Sequence, residues 1–404
     1  MRSLVFVNQY GSTPDTGFGG RYFYIAKSLT ANCNVTMISV SNHHLLRNSP
    51  RFKGLVSDEV CDGVNVRWVK LLPYKSAHSP IRVLNWFLFS ALLPILLFKT
   101  KYEVIHYSSP SPVGVLGAWA SARLKKARLV FDVRDVWPET LTSIGGIKKS
   151  HFLIQLLSWI ELFAYKRSDH ITSNLPNFDV RLSEVSMNDD KFTWVPNGVL
   201  LTEASEAYES SKFSFPKNLD GKKIVEYTGT LGEANSLYKL LDAALILREY
   251  HDIVFVFIGE GKLQKDLEIY CEDNQLNNVY FLGSLPKQDV YKAQALADIL
   301  CVGALSSPLY RYGVAANKLY EYMFSNTPVL YYVDTPNYNP VSNANCGIEV
   351  PAADGSSLAE AILKLLKCPE IYSSGSGRAY IEKTHSYKLI ANRIYSISFP
   401  VQQR

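Results

Sequence analysis

Along the whole chain, short apolar runs alternate with longer segments in which apolar residues recur every three or four positions. Runs rich in β-branched and aromatic residues read as strands buried on both faces, and the periodic segments read as amphipathic helices. In the first half this predicts strands over 3–8, 34–40, 102–107, 127–133 and 170–172, with helices over 20–30, 112–125 and 151–167. In the second half, strands over 223–227, 253–258, 279–282, 299–302 and 329–332 alternate with helices over 236–250, 262–274, 287–295, 317–324 and 357–366. Strand–helix alternation of this kind argues for parallel sheets covered by helices on both faces. The fold class is therefore α/β, with two tandem Rossmann-like domains facing across a cleft. The break follows Trp194-Val195-Pro196-Asn197-Gly198-Val199, where the polar stretch 202–218 reads as a linker or an irregular domain start. The domains expected are residues 1–200 and 201–375.

Length and charge refine this picture. At 404 residues the chain exceeds one ordinary core. Residues 1–200 hold 23 Lys and Arg against 14 Asp and Glu, and the remainder holds 19 against 23, which accounts for the net +5. A basic first half favours an anionic partner, either a membrane surface or a phosphorylated acceptor. Nucleic acid is not expected, because no RNP, helix-turn-helix or zinc-finger pattern accompanies the charge. The six cysteines are scattered without metal-ligand spacing, as in a reduced cytosolic protein. The first apolar run is too short for a signal peptide. Segment 83–98 is almost wholly apolar, yet short for a membrane span and interrupted by Pro94. It reads either as a buried core helix or as an interfacial one, with Arg82, Trp86, Lys99 and Lys101 at the water boundary.

Candidate chemistry gathers at strand ends, where open α/β sheets bind ligands. Gly17, Gly19 and Gly20 follow the first strand and admit close approach of a phosphate or sugar. His106 closes another strand. Segment 131–139 ends a strand with Arg134, Asp135, Trp137 and Glu139, polar groups that need partners against a buried sheet. In the second half, glycine turns at Gly229-Thr230-Leu231-Gly232, Gly259-Glu260-Gly261 and Gly283-Ser284-Leu285-Pro286 follow successive strands. Together they form a rim for a base and a diphosphate. Segment 309–323 is a loop entering a helix, with Arg311 in the loop and Lys318 and Glu321 on one helical face. A helix start favours phosphate, and a carboxylate one turn further in can accept from sugar hydroxyls.

These motifs resemble the retaining, nucleotide-sugar-dependent glycosyltransferases of family four, which have the GT-B fold. The marks are DVRDVWPE at 132–139, VPNGV at 195–199, YTGTLGEAN at 227–235, IGEG at 258–261, FLGSLP at 281–286 and YRYGVAANKLYEYM at 310–323. Their order spans nearly the whole chain. The resemblance is nearest to bacterial enzymes that build O-antigen or capsule repeat units, including amino-deoxysugar transferases.

The resemblance implies that Glu321 holds the donor ribose. The family's first glutamate falls at Gly313, and its usual diphosphate-clamping Arg and Lys fall at Thr230 and Ala234–Asn235. Arg311 and Lys318 are expected to supply the missing charge. Asp135 stands in for a histidine that relatives carry in this segment. The donor-side set is then Gly19, Gly20, Gly229, Thr230, Asn235, Gly259, Gly261, Leu285, Asn317 and Glu321, with Asp135, Arg311 and Lys318 catalytic. The acceptor side takes His106, Arg134, Trp137 and Glu139. The implied partners are a UDP-sugar donor and a lipid-linked saccharide acceptor, with peripheral contact at the inner face of the cytoplasmic membrane. No metal or other cofactor is expected, since no DxD element ends a strand in the second half. Residues 376–404 are expected to cross back onto the first domain as a C-terminal helix. Two alternatives remain: an isomerase similar to UDP-N-acetylglucosamine 2-epimerase, or a non-catalytic nucleotide-sugar-binding subunit.

Overall fold

The apolar runs become the strands of two sheets. The computed structural model describes residues 1–17, 19–50, 52, 54–74, 79–143 and 146–400. Phe18, in the first glycine turn, and residues 401–404 of the expected C-terminal helix lie outside the described residues. The chain divides into two units, residues 1–197 with 387–404, and residues 198–386.

The first unit holds β1 (Arg2–Val7), β2 (Cys33–Val40), β3 (Val56–Cys61), β4 (Val64–Val69), β5 (Val104–Ser108), β6 (Arg128–Val133), β7 (His170–Ser173) and β8 (Phe192–Trp194). Their order is β3-β4-β2-β1-β5-β6-β7-β8, with β3 antiparallel to β4 and the other pairs parallel. The chain works outward from β1 and then returns to β5 on its other side. Strand order therefore reverses between β1 and β5.

The second unit holds β9 (Lys223–Thr228), β10 (Ile253–Ile258), β11 (Val279–Gly283), β12 (Ile299–Gly303), β13 (Val329–Tyr332) and β14 (Gly347–Glu349). They pair in parallel in the order β11-β10-β9-β12-β13-β14, which reverses between β9 and β12. Such reversals open a crevice at the strands' carboxyl ends. Helix Gly355–Lys367 shows how the pattern builds the core. Asp354 and Ser357 close a capping box, while Leu358, Ile362 and Leu365 are buried one turn apart against Leu240, Leu241 and Phe255.

Three expectations change. The hairpin β3–β4 was not predicted. Its sequence signal is Asp62-Gly63, whose φ values of 49° and 79° suit a two-residue turn. Edge strand β3 is polar at Ser57-Asp58-Glu59, so it lacks the apolar run of its neighbours. Part of the expected linker is a helix, Leu201–Ser210, that buries only Ala204 and Ala207 and packs against helix Lys287–Leu296. Finally, residues 376–404 do not act as one returning helix. Helix Ser376–Thr384 stays in the second unit, with Ile381 buried beside Met323 and Phe324. Helix Tyr387–Ser398 belongs to the first, burying Ile390, Ala391 and Ile394 beside Phe23 and Leu29.

The apolar segment forms helix Pro80–Leu97, long and apolar enough by composition to cross a membrane. One face buries Trp86, Phe89, Leu93 and Leu97, and the other exposes Ile81, Leu84, Phe87 and Ile95, with Phe98 just beyond.

Candidate functional site

In the second unit the two loops at the strand reversal meet. After β9 the chain makes a turn through Gly229 and a short 3-10 segment, Glu233–Asn235. After β12 it makes a second 3-10 turn, Pro308–Tyr312, and enters helix Asn317–Ser325. The Leu305 N–H donates to the Ala234 carbonyl at 3.0 Å and ties the two loops together. Neither Ala316, which opens helix Asn317–Ser325, nor Ser236, which opens helix Leu237–Ile246 after the first loop, caps its helix with a side chain, and the buried Ser236 hydroxyl has no hydrogen-bond partner among the described residues.

Lys318 sits between these loops. Its Nζ donates to the Tyr227 hydroxyl at 2.9 Å and to Asn235 Oδ1 at 3.3 Å, and lies 4.2 Å from the Tyr227 ring centroid. Tyr227 in turn donates to the Thr230 carbonyl at 2.8 Å, which also accepts from Asn235 Nδ2 at 2.9 Å. A Cβ on Gly229 would stand 2.7 Å from Lys318 Nζ, so glycine makes room for the cation. Burial pushes the Lys318 ammonium down to about 8, against the opposing pull of Glu321. The structure thus gathers Gly229, Thr230, Asn235 and Lys318, with Asn317 exposed at the helix start.

Glu321 lies one turn beyond Lys318, and both its oxygens accept from Lys287 Nζ at 2.7 Å. Sequence reasoning missed Lys287. Its signal was the Leu285-Pro286 turn that opens helix Lys287–Leu296. Leu285 itself packs against the apolar cluster of Ile224, Val254 and Ala293. Also missed was Glu226, wholly buried in β9, where it accepts from Thr228 Oγ1 at 2.5 Å and burial raises its carboxyl to about 8.

Two expectations for this unit are revised. Arg311 turns back on its own loop, donating to the Pro308 carbonyl at 2.6 Å and to the Tyr312 hydroxyl at 2.5 Å, with its guanidinium 4.3 Å from the Tyr312 ring. Gly259 and Gly261 serve loop packing. A Cβ on either would fall 2.0 Å from the Gly229 carbonyl or 2.1 Å from that of Leu231, so the turns interlock instead of opening a cradle at these two positions.

In the first unit, Gly19 and Gly20 have φ of 71° and 74° and lead into Arg21, which turns inward. Arg21 donates to the Val195 carbonyl at 2.7 Å and to that of Pro196, and stands 3.6 Å from buried Asp132. The first glycine turn and the Val-Pro-Asn-Gly segment are therefore joined through one guanidinium. His106 is corrected from an acceptor-side residue to a core one. It is fully buried in β5 between Phe6 and Tyr22, its ring nitrogens have no hydrogen-bond partner among the described residues, and burial lowers it to about 4. Glu139 joins Glu161 and Glu184 around Arg181 in an ion-pair network, a structural position.

The remaining candidates stand at the carboxyl end of the sheet. The Arg134 N–H donates to Ser109 Oγ at 2.9 Å. Asp135 is exposed at its edge, yet the protein around it raises its carboxyl above the usual range, against the pull of Arg134 and Arg82. The Trp137 ring meets Trp86 edge-on at 5.6 Å, and the Trp86 indole donates to the Tyr10 hydroxyl at 2.7 Å. Arg82 Nε donates to the same hydroxyl at 3.1 Å, and His44 hydrogen-bonds Tyr74 at 3.1 Å. Aromatic faces beside a guanidinium offer stacking and charge to a polar, anionic ligand.

Comparison with known proteins matches these two units separately. A family model described as glycosyl transferase 4-like domain matches residues 24–198, and one described as glycosyl transferases group 1 matches residues 209–381. The chain belongs to this family of glycosyltransferases, family four with the GT-B fold. Over 257 residues it is 21% identical to the probable glycosyltransferase WbjE of Pseudomonas aeruginosa, covering 63% of this chain and 64% of that one. Over 183 residues it is 29% identical to the UDP-Gal:alpha-D-GlcNAc-diphosphoundecaprenol alpha-1,3-galactosyltransferase of Escherichia coli, covering 43% of this chain and 44% of that one. The matches therefore span less than two thirds of these curated relatives' length. The solved structure of Anabaena HepE in complex with UDP aligns with a TM-score of 0.67 at 13% identity, over 98% of this chain and 99% of that one. At that identity the likeness is one of fold.

Proposed function

We propose that this protein transfers a sugar, an N-acetylated amino-deoxyhexose, from a UDP-sugar to a lipid-diphosphate-linked saccharide in the assembly of a bacterial O-antigen or capsule, with retention of anomeric configuration. The observation that carries this reading is the Lys318–Tyr227–Asn235 cluster at the strand reversal of the second sheet, with Glu321 one turn further along. A half-buried ammonium beside helix starts with no side-chain cap is suited to a diphosphate. The HepE structure with UDP and the name of the Escherichia coli galactosyltransferase support the same classes of donor and acceptor.

In this mechanism the bond between the sugar's anomeric carbon and the UDP oxygen breaks as the acceptor oxygen bonds to that carbon on the same face. The acceptor's proton passes to the departing phosphate oxygen. Charge grows on that phosphate, and Lys318 with the backbone N–H groups stabilises it. Fixed cations can serve this role, so metal independence is part of the proposal. On the acceptor side we assign Arg134, Asp135 and Trp137, joined by Tyr10, Arg82 and Trp86. We also place the protein in the cytoplasm, peripheral to the membrane's inner face.

The test is a panel of UDP-sugars screened for protection against thermal unfolding, followed by transfer to lipid-diphosphate-linked sugars in EDTA. One amino-deoxy donor is expected to raise the melting temperature and to be transferred at an undiminished rate in EDTA. Protection by none of the donors would overturn the reading.

A further inference from the structure

We infer that Lys287 is an exchange partner of the donor ribose: it occupies Glu321 in the free protein, is displaced when the nucleotide binds, and re-pairs as UDP leaves. The inference rests on the proposed ribose-binding role of Glu321. Lys287 Nζ stands 2.7 Å from each carboxylate oxygen, so it lies on the plane that bisects the carboxylate. A vicinal 2′,3′-diol that gives one hydrogen bond to each oxygen must straddle the carboxylate in the same way. The ammonium and the diol therefore compete for one position.

Exposure decides which partner moves. The Glu321 side chain is 19% exposed and rises from a helix whose other face is buried. The Lys287 side chain is 47% exposed and stems from the first residue of its helix. Lys287 also has somewhere to go, because its Nζ already lies 4.5 Å from the ring centroid of Tyr291, one turn along. A cation over that ring keeps part of its stabilisation after Glu321 is taken. Lys318 does not share this role, since its hydrogen bonds go to Tyr227 and Asn235. The consequence is a donor site that holds UDP less tightly than Glu321 alone would, and that is refilled by its own lysine as product departs.

Calorimetry with UDP and with 2′,3′-dideoxy-UDP on the full chain, the K287M and E321Q variants and the double variant tests this. K287M is expected to bind UDP about fivefold more tightly, since a half-exposed ion pair no longer has to be broken. Its affinity for dideoxy-UDP is expected to equal that of the wild type. In the E321Q background, K287M is expected to change nothing. In stopped-flow measurements UDP is expected to leave K287M more slowly. UDP binding that is weakened or unaltered by K287M, with E321Q still lowering the preference for UDP over dideoxy-UDP, would overturn the exchange while leaving the ribose role intact. If E321Q leaves that preference as in the wild type, the ribose role falls and the exchange with it. Melting temperatures of the variants identify any that fail to fold.

Discussion

In the proposed donor site Lys318 meets two opposed demands. It must be buried enough to act on a phosphate through a medium less polar than water, and it must keep its proton. The ring and hydroxyl of Tyr227, the Asn235 oxygen and nearby Glu321 favour the ammonium, yet burial still holds it near 8. UDP affinity is therefore expected to weaken as pH rises through about 8, while K318M binds roughly ten- to a hundredfold more weakly and shows no such step. Calorimetry from pH 7.5 to 9.5 reads both effects. Stability carries the complementary signature. The ordinary lysine value is 10.5, so between about 8 and 10.5 the unfolded chain binds more protons at this position than the folded one. The Lys318 contribution thus makes the wild type gain stability relative to K318M as pH rises across that window and lose it as pH falls to about 8. Denaturant midpoints at both ends check the sign.

At the scale of elements, the proposed donor side is a stack of interlocked turns. The Gly229 N–H donates to the Ile258 carbonyl, that of Gly259 to Gly283, and that of Leu231 to Glu260. Gly259, at φ 136°, leaves no room for a side chain beside the Gly229 carbonyl. G259A is expected to force these turns apart, costing roughly 1–3 kcal/mol, and to weaken UDP binding with it. Thermal unfolding and calorimetry on one preparation would show both; an unchanged melting temperature would remove the interlock. The strands and helices framing this stack were legible because fully buried parallel strands leave continuous apolar runs. The hairpin β3–β4 was hidden because an edge strand has no such run, and helix Leu201–Ser210 because two buried alanines make little periodicity. Within the candidate site, the placing of Lys318 and Glu321 one turn apart on one helix was readable from helical spacing. The partners Lys287 and Tyr227 were not, nor, in the first unit, was the inward turn of Arg21, since each depends on distant segments brought together by strand order. His106 was misread for the same reason: a strand-end polar residue looks alike in sequence whether it faces a ligand or the core.

At the scale of the whole molecule, charge and apolar surface are unevenly shared. The first 200 residues carry the positive excess, and the same part of the chain exposes Ile81, Leu84, Phe87 and Ile95 along one helix, with Phe98, Lys99 and Lys101 following it. On the opposite side of this helix Trp86 is buried and Arg82 contacts Tyr10, within the proposed acceptor residues. A lipid-linked acceptor presents its polar head at a bilayer surface, and one helix with an outward apolar face and an inward polar-aromatic one suits that boundary. Basic residues near an anionic bilayer contribute on the order of 1 kcal/mol each, and apolar side chains add burial. The wild type is therefore expected to float with vesicles containing anionic lipid and to stay behind with neutral ones or at high salt. Ile95→Glu with Phe98→Glu should abolish flotation without lowering the melting temperature, because both side chains are 71% exposed; a charge at Trp86 would disturb the core instead. With a water-soluble acceptor analogue the double variant should keep wild-type turnover, and with the acceptor in vesicles it should lose most of it. Equal flotation of variant and wild type would remove the membrane role of this helix while leaving the donor site as it stands.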